Sequence, residues 1–200
     1  RGAPDDMHQV ERNLRLVEAL GFPVYDRQLA VAIPDAARGR VAALLGDLGV
    51  DSAAPLVLLH PGASAQARRY PPERAGAVAR LLSERGRHVL VTGVERETAL
   101  IETVRQHAPR VRCLLGATTL AEYAALIEHA ALVICGNTLP LHLADAVRTP
   151  VLSLYSGTDL EAQWQPRNTQ FRLLRRSTPC HPCYLFQCPI DLPCLDIPPQ

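Results

Sequence analysis

Short apolar runs alternate with longer amphipathic segments over most of the chain. The runs cover residues 56–60, 88–92, 111–115, 131–134 and 151–155, and they are rich in Leu, Val and Ile. Between them, apolar residues recur every three or four positions, which predicts helices. Continuous apolar strands that alternate with amphipathic helices are typical of a parallel sheet covered on both faces. The pattern therefore predicts an α/β fold.

Start and stop signals delimit several of the predicted helices. Thr119, followed three residues later by Glu122, forms a capping box at the start of one helix. The first fifty residues do not follow the strand and helix repeat. There, residues 10–20 and 35–48 have helical spacing, and the apolar residues 29–33 between them predict a short edge strand.

The fourth apolar run leads directly into a helix through the segment CGNTLPLHLA at 135–144. We expect Asn137 or Thr138 to cap this helix, and Pro140 fits its first turn. Free N–H groups and the positive end of the helix dipole would hold a diphosphate there, with His142 one turn away. The alternative is an ordinary strand–helix junction in which His142 bonds a nearby carbonyl.

Polar residues follow several of the predicted strands. Ser64, Gly93, Glu95, Asn137 and Thr138 come just after apolar runs, and ligands of parallel sheets bind beyond the carboxyl ends of the strands. Each is also a common turn or capping residue, so the alternative is a purely local role. The sequence has no strand followed by G-x-G-x-x-G, no P-loop and no G-x-S-x-G. If a ligand crevice is present, the sequence predicts that it is neither a standard dinucleotide site, nor a P-loop, nor the active site of an esterase.

Composition narrows the classes of function. The chain has 200 residues, 48% of them hydrophobic, and a formal net charge of +1. This length is enough for one well-buried domain, and there is no basic excess to neutralise a nucleic-acid backbone. No apolar run is long enough to cross a membrane. We expect a cytoplasmic protein without a nucleic-acid partner, and the ordinary sequence before Met7 suggests a piece of a longer protein.

Five motifs occur in a characteristic order: HPGAS at 60–64, RRYP at 68–71, TGVE at 92–95, GATTL at 116–120 and GNTLPLHLA at 136–144. Their order resembles that of glycosyltransferase family 9, the heptosyltransferases of lipopolysaccharide synthesis and their relatives. The resemblance runs from about residue 56 to the end of the chain. It implies a GT-B architecture, in which two Rossmann-like domains bind the sugar donor mainly through the second.

On this resemblance the chain is one half of a GT-B enzyme. Residues 51–200 would be the C-terminal, nucleotide-sugar donor-binding domain, a Rossmann-like parallel sheet flanked by helices and followed by a cysteine-rich tail. Residues 1–50 would be the linker region and the end of the N-terminal domain. We therefore expect most of the acceptor site to belong to that other domain.

The resemblance also implies roles for individual residues. Arg68 stands where the family usually has a lysine and would face the diphosphate, since it keeps the charge and adds a planar fork. Glu95 would accept the ribose hydroxyls. Independently of the resemblance, the position of Trp164 in the loop after the fifth predicted strand would let it flank the sugar, or it anchors the packing of that loop. The implied donor site consists of Ser64, Arg68, Gly93, Glu95, Thr119, Asn137, Thr138, Leu139, Pro140 and His142.

The reaction implied is an inverting transfer of heptose or a related sugar from a nucleotide-diphosphate sugar, such as ADP-heptose, to a glycan or lipid-linked acceptor. Arg68 and His142 would be the catalytic groups of this chain, and the general base would come from the first domain. No cofactor would be required. We expect a location in the cytoplasm, with peripheral contact to the inner face of the membrane, and no turnover by this chain alone.

Two positions depart from the family pattern. Asn137 and Leu139 stand where the family usually has Asp and Gly. The donor nucleotide and sugar are therefore open, and two other functions are alternatives. One is a degenerate GT-B nucleotide-binding or interaction module without transferase activity, which predicts no stabilisation by any nucleotide. The other is a GT-B epimerase or phosphorylase-like enzyme, which needs additional acid and base groups in the other domain.

The C-terminal tail contains four cysteines, Cys180, Cys183, Cys188 and Cys194. Their number suits a tetrahedral zinc site, but their spacing is not the usual two-pair spacing. Disulfides are disfavoured in the cytosol, so metal binding is a better explanation of these cysteines than disulfide formation. A structural zinc site and a metal-free tail both stay open, and we expect His181 to be a solvated loop residue.

Overall fold

The computed structural model describes residues 6–50 and 54–200 and contains a six-stranded parallel sheet. Its order is β3-β2-β1-β4-β5-β6, and each neighbouring pair is parallel. The strands are β1 Leu56–His60, β2 His88–Gly93, β3 Arg112–Leu115, β4 Leu132–Cys135, β5 Val151–Leu154 and β6 Phe171–Leu174. The predicted α/β class and Rossmann-like sheet are confirmed.

Helices cover both faces of the sheet. They are α1 Gln9–Ala19, α2 Asp35–Asp47, α3 Pro72–Glu84, α4 Thr98–His107, α5 Leu120–His129, α6 Leu139–Val147 and α7 Glu161–Trp164. Side chains alternate along β1, so Leu56 and Leu58 pack with α2, α5 and α6, whereas Val57 and Leu59 pack with α3 and α4. Because both faces are buried, the strands read as continuous apolar runs.

The start of α5 has the capping box that the sequence predicts. The Thr119 hydroxyl accepts from the Glu122 N–H at 3.3 Å, and the Glu122 carboxylate accepts from the Thr119 N–H at 2.7 Å. This reciprocal pair satisfies two N–H groups that a helix start leaves open. These bonds fix Thr119, which lines a cavity in the protein.

One strand prediction is wrong, and one strand was not predicted. Residues 29–33 form no strand; Val31 and Ile33 instead pack partly against the core beside α2. The sheet edge is taken by β6, which pairs with β5 from Val151↔Phe171 onward. β6 has exposed and half-buried positions and an arginine, as an edge strand allows, so it lacks the apolar run that marked the other strands.

The helix α2 belongs to the packed body of the sheet. Ala37, Val41 and Leu45 are buried in the same apolar cluster as β1 and β4. The expected division at residues 50 and 51 stays a prediction, since residues 51–53 lie outside the described part of the chain. Within residues 6–50 and 54–200, no helix has the length and apolarity needed to cross a membrane.

The strand order creates a crevice between β1 and β4. From β1 the chain proceeds to β2 and β3 on one side, and from β4 it proceeds to β5 and β6 on the other. The loops after these two neighbouring strands therefore diverge at their carboxyl ends. In open parallel sheets this switch point is where ligands bind.

Candidate functional site

A cavity of about 490 Å³ opens at this switch point. Its volume is in the range of sites that bind small molecules and cofactors. The predicted donor-site residues that line it are Ser64, Arg68, Gly93, Thr119, Asn137, Thr138, Leu139, Pro140 and His142. The structure thus brings together residues that are up to 78 positions apart in sequence, from Ser64 to His142.

Glu95 is the predicted site residue that does not line the cavity. It is exposed and lies against Gly116, where an added methyl group would contact its side chain at 2.8 Å. Glu97 lines the cavity instead and is only 5% exposed. Both belong to the 3₁₀ turn Glu95–Glu97, and two steps along such a turn lead to different faces.

The carboxylate of Glu97 is held in place from two sides. Its Oε2 accepts from the Val94 N–H at 3.0 Å. It also lies over Gly62, where a methyl group would collide with it. Sequence reasoning missed Glu97; the available signal was the glycine at 62, since a glycine after a strand often permits a close approach of this kind.

The start of α6 faces the cavity with unsatisfied polar atoms. Thr138 is the N-cap residue, but its side chain makes no capping bond, and Asn137 does not cap the helix either. Within the described residues, the buried Thr138 hydroxyl has no hydrogen-bond partner. The N–H of Leu139, as the first residue of the helix, has no intrahelical acceptor. A ligand oxygen would satisfy both groups.

Arg68, Asn137 and Asp159 line the cavity and are hydrogen-bonded to the buried Thr158; we call these four residues the ionic wall. Arg68 follows β1 in the 3₁₀ turn Gln66–Arg68. Its Nη2 lies 2.8 Å from Asp159 Oδ2, and its Nε donates to Thr158 Oγ1 at 3.1 Å. The buried Asn137 donates to the same Asp159 oxygen at 3.0 Å. Sequence reasoning missed Asp159, because its role depends on loops after three different strands.

The side chain of Asn137 uses both its oxygen and its nitrogen in hydrogen bonds within the protein. Its Oδ1 accepts from the Ser156 hydroxyl at 3.1 Å and from the Ser156 N–H at 3.3 Å. An amide suits this position because it both accepts and donates. Leu139 is 54% exposed at the edge of the cavity, so its side chain does not fill the space in front of the helix.

A second part of the lining, which we call the histidine wall, consists of His60, Thr92, Tyr123 and Glu97. His60 Nδ1 lies 3.1 Å from Thr92 Oγ1 and 3.2 Å from the Tyr123 hydroxyl, which itself lies 3.1 Å from Thr92 Oγ1. Burial lowers the pKa of His60, and burial raises the pKa of Tyr123. Near neutral pH this triad therefore carries no charge and offers only hydrogen bonds.

His142 and Trp164 meet at the remaining edge of the cavity. Their ring centroids are 5.7 Å apart, with the rings tilted by 59°. Burial lowers the pKa of His142, so the ring is neutral near pH 7. Trp164 ends α7, a short helix that the sequence pattern did not indicate. A neutral imidazole next to an indole can orient a sugar or phosphate without adding charge.

The tail cysteines do not form the metal site that their number suggested. Among residues 6–50 and 54–200, no cluster of three or more His, Cys, Asp or Glu side chains could hold a metal ion. Cys194 is buried in the apolar cluster of α3 and α4, whereas Cys180 is exposed. His181 is also not a solvated loop residue, since its Nε2 lies 3.1 Å from Glu161.

The tail has a structural contact with the turn that carries Arg68. The Ala67 N–H donates to the Phe186 carbonyl at 2.9 Å, and Gln66 Oε1 accepts from the Cys188 N–H at 3.2 Å. Cys183 N–H donates to the Gly157 carbonyl at 3.0 Å. The tail therefore fastens the 3₁₀ turn and the loop after β5, which are the two supports of the ionic wall.

A model of glycosyltransferase family 9 (heptosyltransferase) matches residues 2–192. The chain belongs to glycosyltransferase family 9. This family 9 chain is 32% identical to lipopolysaccharide heptosyltransferase 3 of Escherichia coli over 161 residues, which are 78% of the chain and 46% of that relative. It spans about half the length of the curated relatives it matches.

Solved structures of glycosyltransferases share the fold of this chain. The glycosyl transferase family 9 structure from Veillonella parvula has a TM-score of 0.82 at 18% identity and covers 94% of this chain and 55% of its own. Escherichia coli heptosyltransferase WaaC with ADP has a TM-score of 0.60 at 21% identity and covers 86% and 52%. At such identities the likeness shows the fold.

Proposed function

We propose that this chain is the donor-binding half of a GT-B heptosyltransferase, which transfers heptose or a related sugar from a nucleotide-diphosphate sugar to a lipopolysaccharide-type acceptor. The observation that carries the proposal is the cavity itself. At one switch point it combines a guanidinium, an unsatisfied helix start and a buried carboxylate. A nucleoside diphosphate has a complementary group for each of the three.

The diphosphate would lie between Arg68 and the start of α6. In this position its oxygens accept from the Thr138 hydroxyl and the Leu139 N–H, while the helix dipole favours their negative charge. Arg68 uses Nε and Nη2 within the ionic wall, which leaves Nη1 for a phosphate oxygen. Ser64, at the rim above β1, adds a further hydroxyl donor.

The ribose would lie on the histidine wall. We assign its hydroxyls to Glu97, because a buried carboxylate that already has one fixed donor keeps acceptor capacity for two adjacent hydroxyls. The expected role of Glu95 stays a prediction, and its exposed position outside the cavity makes Glu97 the better candidate. Gly93 and Thr119 lie beside this wall, where the base would enter.

The transfer step would be an inverting displacement at the anomeric carbon. Arg68 and the helix start would stabilise the charge that develops on the departing nucleoside diphosphate. His142, neutral by burial, would donate a hydrogen bond to the same group or to the sugar, with Trp164 alongside. We assign the general base and the acceptor site to the other half of the enzyme, with residues 51–200 as the donor domain.

Two comparisons support the choice of donor. The E. coli relative is named a lipopolysaccharide heptosyltransferase, and WaaC, a protein of the same fold, is described with ADP. These names favour ADP-heptose as the donor and a glycan or lipid-linked acceptor. The reaction we propose needs no metal, because the cation and the helix dipole supply the positive charge.

A thermal-shift panel with ADP, UDP, GDP and CDP tests the proposal. A ligand at a hundred times its dissociation constant stabilises the folded state by about 2.7 kcal/mol, so binding raises the melting temperature clearly. We expect ADP to give the largest shift. If none of the four nucleotides shifts the transition, the proposal is wrong and a degenerate module is the better description.

A transfer assay separates the donor half from a complete enzyme. We expect the purified chain to bind ADP but to transfer no sugar from ADP-heptose to a lipopolysaccharide acceptor. Transfer at a rate comparable to that of a full-length relative would contradict the assignment of the general base to the other half.

A further inference from the structure

Asp159 already forms an ion pair with Arg68, which is the cation that would bind the diphosphate in the proposed function. Three donors converge on its Oδ2: Arg68 at 2.8 Å, Asn137 at 3.0 Å and Thr158 at 2.5 Å. The side chain is 13% exposed and lines the cavity. The cavity therefore contains an internal ion pair at the place where an anionic ligand would bind.

The ion pair is anchored more firmly on the Asp159 side than on the Arg68 side. Asn137, which holds the carboxylate, is 5% exposed and is itself fixed by Ser156. The Arg68 side chain is 32% exposed and reaches the pair from the 3₁₀ turn that follows β1, whereas Asp159 follows β5. Asp159 therefore determines where the guanidinium lies.

We propose that Asp159 is a positioning residue and an internal counter-anion: it holds Arg68 in the cavity and its charge opposes that of an entering diphosphate. The inference rests on the proposed function, since it concerns the same ligand. A phosphate bound to Nη1 of Arg68 lies within a few ångströms of the Asp159 carboxylate, because both contact one planar guanidinium. Two anions at that separation repel each other in a partly buried site.

This arrangement has a consequence for the end of the reaction. The leaving nucleoside diphosphate carries more negative charge than it did within the sugar donor, so repulsion from Asp159 acts most strongly on the product. Asp159 thus lowers the affinity for the product and takes Arg68 back when the product leaves. The cost is weaker binding of every phosphorylated ligand.

Isothermal titration of wild type and D159N with ADP, AMP and adenosine tests the inference. The substitution keeps the size of the side chain and removes its charge. We expect D159N to bind ADP about tenfold more tightly and AMP about threefold more tightly, with adenosine unchanged, because the repulsion scales with ligand charge. D159E, which keeps the charge, should show no gain over wild type for any of the three ligands.

D196N is the matched control. Asp196 pairs with Arg74 at 2.7 Å and with Arg176, so the substitution removes one negative charge and breaks an ion pair outside the cavity lining. It should leave all three affinities within about twofold of wild type. A gain for ADP in D196N equal to that in D159N would overturn the inference, because net charge would then explain both.

The remaining outcomes are equally decisive. Unchanged or weaker ADP binding by D159N, with ADP binding by wild type intact, overturns the inference alone. So does a gain that is equal for ADP and adenosine, since that is a steric effect. If neither wild type nor D159N binds ADP, the proposed function fails and the inference fails with it.

Discussion

The two walls of the cavity differ in how they use charge. In the ionic wall, Arg68 and Asp159 form an ion pair in direct contact. In the histidine wall, His60, Thr92 and Tyr123 form an uncharged hydrogen-bonded triad beside the Glu97 carboxylate. An anion is attracted by the cation of the first wall, and hydroxyl groups form hydrogen bonds with the second. The difference suggests that one ligand with both kinds of group spans the cavity, as a nucleoside diphosphate does.

The largest effect is expected from the loss of the cation. Arg68→Ala removes the charged donor of the ionic wall and leaves the Asp159 carboxylate without its cationic partner. We expect ADP affinity to fall about a hundredfold, or about 2.7 kcal/mol, by isothermal titration. Arg68→Lys keeps the charge that family members usually have there and should retain most of the affinity. An equal loss of ADP affinity in both variants would show that the positive charge of Arg68 does not account for the binding.

The next largest effect is expected from Glu97 in the histidine wall, the proposed acceptor of the ribose hydroxyls. Glu97→Gln should weaken ADP binding about tenfold, because an amide accepts poorly from two adjacent hydroxyls. Wild type should prefer ADP over 2′-deoxy-ADP, and the variant should lose that preference. Glu95→Gln, two residues away in the same turn, is the matched control and should leave both affinities unchanged. If Glu95→Gln has the larger effect instead, the assignment of the ribose to Glu97 is wrong.

A pH dependence of folding stability is expected from the buried histidines. Burial lowers the pKa of His60 and of His142 below their ordinary value of 6.5. The unfolded chain therefore takes up protons more readily, and stability is complete above about pH 6.5 and falls as the pH drops below it. Urea unfolding should show a free energy about 1–2 kcal/mol lower at about pH 5.5 than at about pH 7.5.

Two variants of the histidine wall isolate the source of that slope. His60→Gln should reduce the loss of stability at low pH. Tyr123→Phe disturbs the same triad but removes no group that titrates between these values, so it should keep the wild-type slope. A slope unaffected by His60→Gln would place the titrating group elsewhere.

The smallest effect is expected at the edge of the cavity. Thr119→Ala removes the capping bond to the Glu122 N–H and should lower the free energy of unfolding by about 1 kcal/mol. Thr119→Ser keeps the hydroxyl and should be close to wild type. ADP affinity should change less than twofold in either variant, because the Thr119 hydroxyl is used by the helix. A large loss of affinity in Thr119→Ala would instead give this residue a direct role with the ligand.

Elements whose formation depends on residues close together in the sequence were predictable from the sequence. Apolar strands buried on both faces leave continuous runs, and the Thr119 cap needs only Glu122 three residues away. The exposed edge strand β6 has no such run, and the prediction of a strand at 29–33 mistook side chains that pack beside α2 for a sheet edge. Burial alone does not distinguish these cases.

From the sequence we could predict which loops form the candidate site, but not every side chain that points into it. The switch point collected Arg68, Thr138 and His142 because each follows a strand or begins a helix. The choice between Glu95 and Glu97 depended on the pitch of one 3₁₀ turn, and Asp159 depended on packing between distant loops. The cysteine tail was misleading for the same reason, since ligand count says nothing about whether the side chains converge.

The bond between Ala67 and Phe186 also sets an order of events during synthesis. A ribosome makes the turn that presents Arg68 more than a hundred residues before it makes the carbonyl that fastens this turn. The strands β1 to β5 can pair while translation continues, as amino-terminal segments generally fold first. The support of the Arg68 turn is therefore completed only once residue 186 has been made, and a nascent chain that stalls before that residue has a sheet whose Arg68 turn is not yet fastened.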